Sequence, residues 1–149
     1  MSKAIEKRNE QSIVISIKPT YVDLIMSGQK TVELRRRFSN SMQTGTEIFI
    51  YSSSPVQSIV GKVSIKKIIK MRIEDLWNEV GKFSGLSYKY FKNYFDGLDE
   101  GYGIFLERPT LYRNYIPLAQ LSKKLNFYPP QSYMFATHEL LTLVKANAG

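Results

Sequence analysis

Apolar and polar residues follow two periods along this chain, and the switches between them outline the elements. From Ser12 to Lys18 they alternate, with Ile13, Ile15 and Ile17 on one face and Val14, Ser16 and Lys18 on the other. That is the pattern of a strand with one wet or ligand-facing side. Pro19 lacks the N–H that a ladder needs but suits the first turn of a helix. Tyr21, Leu24 and Ile25 then recur at helical spacing, and Gly28 supplies a C-cap. Alternation returns over Thr31–Arg37, with Val32 and Leu34 on one side and Thr31, Glu33, Arg35 and Arg37 on the other. Glu47–Tyr51 reads as a third strand. Gln57–Met71 reads as a long fourth, in which Ile59, Val63, Ile65 and Ile69 share a parity and Lys62, Lys66 and Lys70 hold the other. Lys67 is out of step and marks a bulge or a strand end.

The period then changes. Ile73, Leu76, Trp77 and Val80 predict an amphipathic helix, broken at Gly81–Gly85. Ser87 is an N-cap for a second helix, whose Tyr88, Phe91, Phe95 and Leu98 form a stripe and whose end Gly97 marks. Gly101–Glu107 reads as a strand stopped by Arg108-Pro109, and Tyr112–Ile116 as one more short strand. A short helix runs from Pro117 through Leu125, a last strand spans Ser132–Ala136, and His138–Lys145 is helical. Five or six short strands with helices at the start, middle and end, and no βαβ alternation, predict an α+β fold. Its core is a small mixed β-barrel with flanking helices and a helical insert over residues 72–98. One domain over residues 12–149 accounts for all of these elements. Residues 1–11 are polar, lack an apolar signal core and are expected to form a disordered lead-in.

Ionisable side chains concentrate on the first two strands. Glu33 and Arg35 share a face of the second, and Lys30 stands at its entrance, where a turn can re-aim it. A carboxylate between two cations stays ionised and accepts hydrogen bonds, for example from the amino group of a base. The cations would hold phosphate or polarise a carbonyl. A solvated ion-pair ladder is the bland alternative. Lys18 borders the same place if the first two strands lie close together, and Arg37 extends the basic run. Gln131, Ser132 and Tyr133 offer an amide, a hydroxyl and a ring suited to a flat heterocycle. The helix pair over 73–97 has the outline of a helix-turn-helix carrying Lys89, Lys92 and Asn93. Its heavy aromatic stripe favours two helices that cover a barrel mouth.

The spacing Gly28-x-Lys30-x-x-Glu33-x-Arg35 resembles the signature of the ASCH domain, a branch of the PUA-like superfamily. Three further features carry the resemblance over about residues 12–136: the strand ending in Lys18-Pro19, the Tyr94–Gly103 stretch and Pro129-Pro-Gln-Ser-Tyr133. The resemblance implies a PUA-like barrel and a nucleic-acid or nucleotide ligand, with a role in control of transcription or translation. Some ASCH-like proteins are amidohydrolases acting on acetylated cytidine, with a lysine, a threonine nucleophile and an acid. Here the lysine matches Lys30, but Glu33 holds the threonine position, and Ser84 stands where the acid is expected, Glu79 being the nearest acid before it. A hydrolase or ribonuclease using Lys30 and Glu33 is therefore the alternative to a binding module.

Composition narrows the choice. Lys and Arg number 21 against 13 Asp and Glu, a net charge of +8, and the chain carries 10 tyrosines and 8 phenylalanines. Basic charge mixed with rings suits single-stranded RNA or a nucleotide-like ligand. The absence of cysteine removes thiol chemistry, and a single histidine, His138, argues against a zinc site or a histidine triad. No metal or cofactor is expected. With no run of 18 apolar residues, the chain is expected to be a cytoplasmic protein without a membrane partner.

Overall fold

A computed structural model of the chain describes residues 11–147. The lead-in expected over residues 1–11 lies, but for Gln11, outside the described residues. Six strands form one curled, mixed sheet: β1 (Ile13–Ile17), β2 (Val32–Arg35), β3 (Glu47–Ser52), β4 (Ser58–Arg72), β5 (Glu100–Pro117) and β6 (Tyr133–Phe135). Their order is β2–β5–β4–β3–β1–β6. All pairs are antiparallel except β1 with β3. That exception follows from the path of the chain. After β1 it runs through α1 (Pro19–Met26), visits the far edge as β2 and only then returns as β3.

The alternating isoleucines do what their period predicts. Ile13, Ile15 and Ile17 point into the barrel with Ile48, Ile50, Val63, Ile65 and Ile104. The reverse face of β1 is wet only from Ser16 onward. Val14 is fully buried under α4 (Leu118–Leu125) and α5 (His138–Asn147), against Leu121, Leu140 and Leu143. The insert comprises α2 (Ile73–Val80), a 3-10 turn at Gly81–Phe83 and α3 (Tyr88–Tyr94). It covers Val32 and Leu34 of β2 with Leu76, Val80, Phe91 and Phe95. Trp77 and Phe95 flank Phe91 at ring distances of 5.0 and 4.9 Å. Ser87 caps α3, its Oγ accepting the Tyr90 N–H at 3.1 Å. The aromatic stripe is thus buried against the sheet. On the outer surface Lys92 pairs with Glu74 at 2.7 Å, so the helix pair is a cover for the barrel.

Two expectations about strands are corrected. β5 does not stop at Arg108-Pro109 but runs unbroken to Pro117, so that Tyr112–Ile116 belongs to the same strand. Arg108 adopts φ 55°, and the register with β4 jumps from Ser64 opposite Glu107 to Lys62 opposite Thr110. A bulge therefore absorbs the proline, whose missing N–H is tolerated there. β2 is shorter than expected and ends at Arg35, which takes Arg37 out of the alternation with Glu33. The irregularity expected near Lys67 is present as a register shift between Ile65 and Lys67.

Candidate functional site

The site begins at a glycine. Gly28 takes φ 82°, a left-handed conformation that costs glycine little, and turns the chain off α1. The Lys30 N–H then donates to the Leu24 carbonyl at 2.9 Å. This re-aims Lys30, which has the wrong parity for the strand, into the protein, where it is only 2% exposed. Its ammonium has three donors and three acceptors around it: the Val32 carbonyl at 2.9 Å, the Ser84 carbonyl at 2.5 Å and Glu33 Oε1 at 3.2 Å. An ammonium so surrounded has no donor left for a phosphate.

Glu33 is buried between two cations. Its Oε2 accepts from Arg35 Nε at 2.9 Å and Nη2 at 2.6 Å, while Oε1 takes Lys30. Burial pushes the Glu33 carboxyl up, but the charges of Arg35 and Lys30 and their hydrogen bonds outweigh it and hold the group below the usual carboxylate range. Glu33 is therefore an anion, and among the described residues Lys30 alone donates to Oε1, an oxygen that can accept a second hydrogen bond. Arg35 also donates to the carbonyls of Ser16 at 3.0 Å and Ser132 at 3.3 Å. β1 and β2 share no ladder, so this guanidinium spans the open seam of the barrel.

Above this cluster lies a cavity of about 190 Å³, floored by Glu33 and Arg35 and walled by Tyr21, Tyr90 and Tyr94. Tyr21 and Tyr90 meet edge-on at 6.3 Å. Lys18, on the rim, lies 3.4 Å from the Tyr90 hydroxyl. Burial, then Tyr90, raises the Tyr21 hydroxyl above its ordinary range; burial also raises Tyr94, against the nearby arginines. Both therefore remain neutral hydroxyls at physiological pH.

Lys18, Lys30, Glu33, Arg35 and Gln131 all line this cavity. Ser132 contributes its carbonyl to Arg35, and Tyr133 is turned toward the barrel interior, its ring 5.0 Å from Phe38. Arg37 is exposed beyond the end of β2 and does not line the cavity. The three wall tyrosines are absent from the sequence-based candidates. Tyr90 and Tyr94 are four apart on α3, a second aromatic row that the buried Phe91 and Phe95 row obscured. The Ser84 hydroxyl donates to the Gly81 carbonyl at 2.7 Å, and it is the Ser84 carbonyl that meets Lys30. Among the described residues no second acid lines the cavity, and no three His, Cys, Asp or Glu side chains converge as a metal site would need.

A family model described as the ASCH domain matches residues 15–131. A protein of Zymomonas mobilis named ASCH domain-containing ribonuclease is 33% identical over 132 residues, 88% of each chain. The crystal structure of ASCH from Zymomonas mobilis superposes with a TM-score of 0.84 at 32% identity, over 94% of this chain and 96% of that one. Human THYN1, solved in complex with 5-methylcytosine containing DNA, matches at a TM-score of 0.59 and 15% identity, over 92% of this chain and 96% of its own. That last likeness is one of fold. No helix among the described residues is long and apolar enough to cross a membrane.

Proposed function

The chain belongs to the ASCH domain family, and from that premise we propose that it binds single-stranded RNA and takes one unstacked, amino-bearing base into the cavity over Glu33. The observation that carries this reading is the state of Glu33: an ionised, buried carboxylate whose Oε1 can accept a second hydrogen bond, under walls of tyrosine. An acceptor-only group fixed in this way suits an exocyclic amino group, and the rings offer stacking surfaces. Lys30 is a positioning residue that keeps Glu33 charged. Lys18 and the exposed Arg37 are phosphate contacts, and Gln131 reads the heterocycle from the opposite rim. Binding of this kind suits control of transcription or translation.

A second reading has one observation in its favour, the name ribonuclease carried by the Zymomonas mobilis relative. In it, Lys30 and Glu33 serve cleavage. A carboxylate held low by two cations is a weak base toward a ribose hydroxyl, and Lys30 has no free donor, so binding is placed first. The test uses a short, end-labelled single-stranded RNA, with binding followed by fluorescence anisotropy and products by denaturing gel, with and without magnesium. Wild type is expected to bind with the RNA intact, and Tyr90→Ala to weaken binding by about 1–3 kcal/mol as a stacking platform is lost. Cleavage abolished in Glu33→Gln while binding persists would promote the second reading. Absence of binding would sink both.

A further inference from the structure

Two residues of the cavity lining, Ile17 and Leu34, have side chains committed to the core. Leu34 borders the cavity, yet its side chain is packed with Val32, Leu76 and Phe91 under the insert and the residue is 4% exposed. What Leu34 can offer the cavity is its main chain. The pairing of β2 with β5 explains this. The Leu106 N–H donates to the Thr31 carbonyl at 2.9 Å, and the register places Glu33 opposite Ile104 and Arg35 opposite Tyr102. In an antiparallel ladder this makes Glu33 and Arg35 the residues that exchange bonds with β5, while Val32 and Leu34 point their N–H and C=O groups away from it.

β2 is an edge strand, so those groups meet whatever lies beyond the sheet. On either side of Leu34 one group of the edge is taken. Lys30 Nζ takes the Val32 carbonyl at 2.9 Å, and the Arg36 N–H donates to the Tyr94 hydroxyl at 3.3 Å. At the entrance the Thr31 N–H donates to the Phe83 carbonyl at 2.9 Å. Among the described residues no partner reaches the Leu34 N–H or C=O. What is left is too short a gap for a further strand, which needs a run of free groups. It fits the edge of a flat heterocycle.

We infer that the Leu34 main chain pairs with the edge of the bound base. This rests on the reading of the cavity as a base site and specifies the chemistry of its occupant. The complement is a ring nitrogen acceptor beside an exocyclic amino group, as in cytosine or adenine. The ring nitrogen accepts the Leu34 N–H. One amino hydrogen goes to the Leu34 carbonyl and the other to Glu33 Oε1. Uracil offers a carbonyl where the amino group is needed, and that carbonyl would face the Glu33 carboxylate.

The test uses the ¹⁵N-labelled full chain and three tetranucleotides, of cytidine, uridine and 3-deazacytidine. The last keeps the amino group and the ring size but lacks the ring acceptor. In the free protein the Leu34 amide should exchange with solvent faster than those of Glu33 and Arg35. Oligocytidine should slow the Leu34 amide about tenfold or more, the effect of one gained hydrogen bond, with its neighbours little changed. Oligouridine should bind about tenfold more weakly, and oligo-3-deazacytidine should leave the Leu34 amide unprotected. Oligocytidine that shifts the Tyr90 resonance while Leu34 exchange is unchanged, or is slowed equally by the deaza analogue, overturns the inference and leaves the base site standing. No binding of oligocytidine, with none of oligoadenosine run beside it, overturns the base site and the inference with it.

Discussion

Replacing Glu33 with glutamine removes the anion between Lys30 and Arg35 and leaves two cations facing each other in a buried setting. Removing one partner of a buried ion cluster costs about 3–5 kcal/mol, so Glu33→Gln should lower the urea midpoint at neutral pH by that much stability. The acid limb is a separate expectation. A carboxyl held below its unfolded value of about 4.3 stabilises the fold above that pH, and the contribution is lost as pH falls through the lower folded value. Wild type should therefore show a loss of melting temperature below about pH 4 that Glu33→Gln lacks; parallel curves for the two proteins would contradict the assignment. At this scale the sequence was legible where spacing sets geometry. Lys30, Glu33 and Arg35 were identifiable because a glycine turn and a two-residue period bring them together. The saturation of Lys30 was not, because the Ser84 carbonyl that takes its third donor comes from 54 residues away.

Elements were legible where a face is buried and less so where the chain is irregular. The insert helices and their packing through Trp77, Phe91 and Phe95 follow from a 3.6-residue period. The continuation of β5 past Pro109 does not, because a bulge hides a proline that otherwise reads as a stop. The parallel pairing of β1 with β3 depends on where β2 docks, which no local pattern records. Phe91 is fully buried at the centre of the insert's packing against β2. Phe91→Ala should therefore cost about 3–5 kcal/mol, measured by chemical denaturation. It should also raise hydrogen exchange through β2, since the insert is the layer that covers that strand. Unchanged exchange at Glu33 and Arg35, the β2 amides that pair with β5, would show that β2 holds its place without the insert.

For the whole molecule, the net charge of +8 makes a claim about salt. If Lys18, Arg37 and neighbouring cations meet phosphates, the logarithm of the RNA affinity should fall linearly with the logarithm of salt concentration. Arg37→Ala should flatten that line by roughly one phosphate contact and leave melting temperature unchanged, because Arg37 is exposed and beyond the strand. A flat dependence in wild type would leave the charge as a matter of solubility.

Arg35 clasps the seam of the barrel while lying under the cavity. One consequence concerns descent. A lineage that gave up its ligand would still need Lys30, Glu33 and Arg35, or some substitute, to keep the seam shut. The signature is therefore a record of architecture, and its persistence in a chain is no witness to activity. The exposed Tyr90 and Gln131, unlike Tyr21 and Tyr94, which also pack on the core, carry no such structural debt. They are free to drift when the ligand is abandoned, so divergence in the walls, set against constancy in the floor, is where a change of occupation would be written.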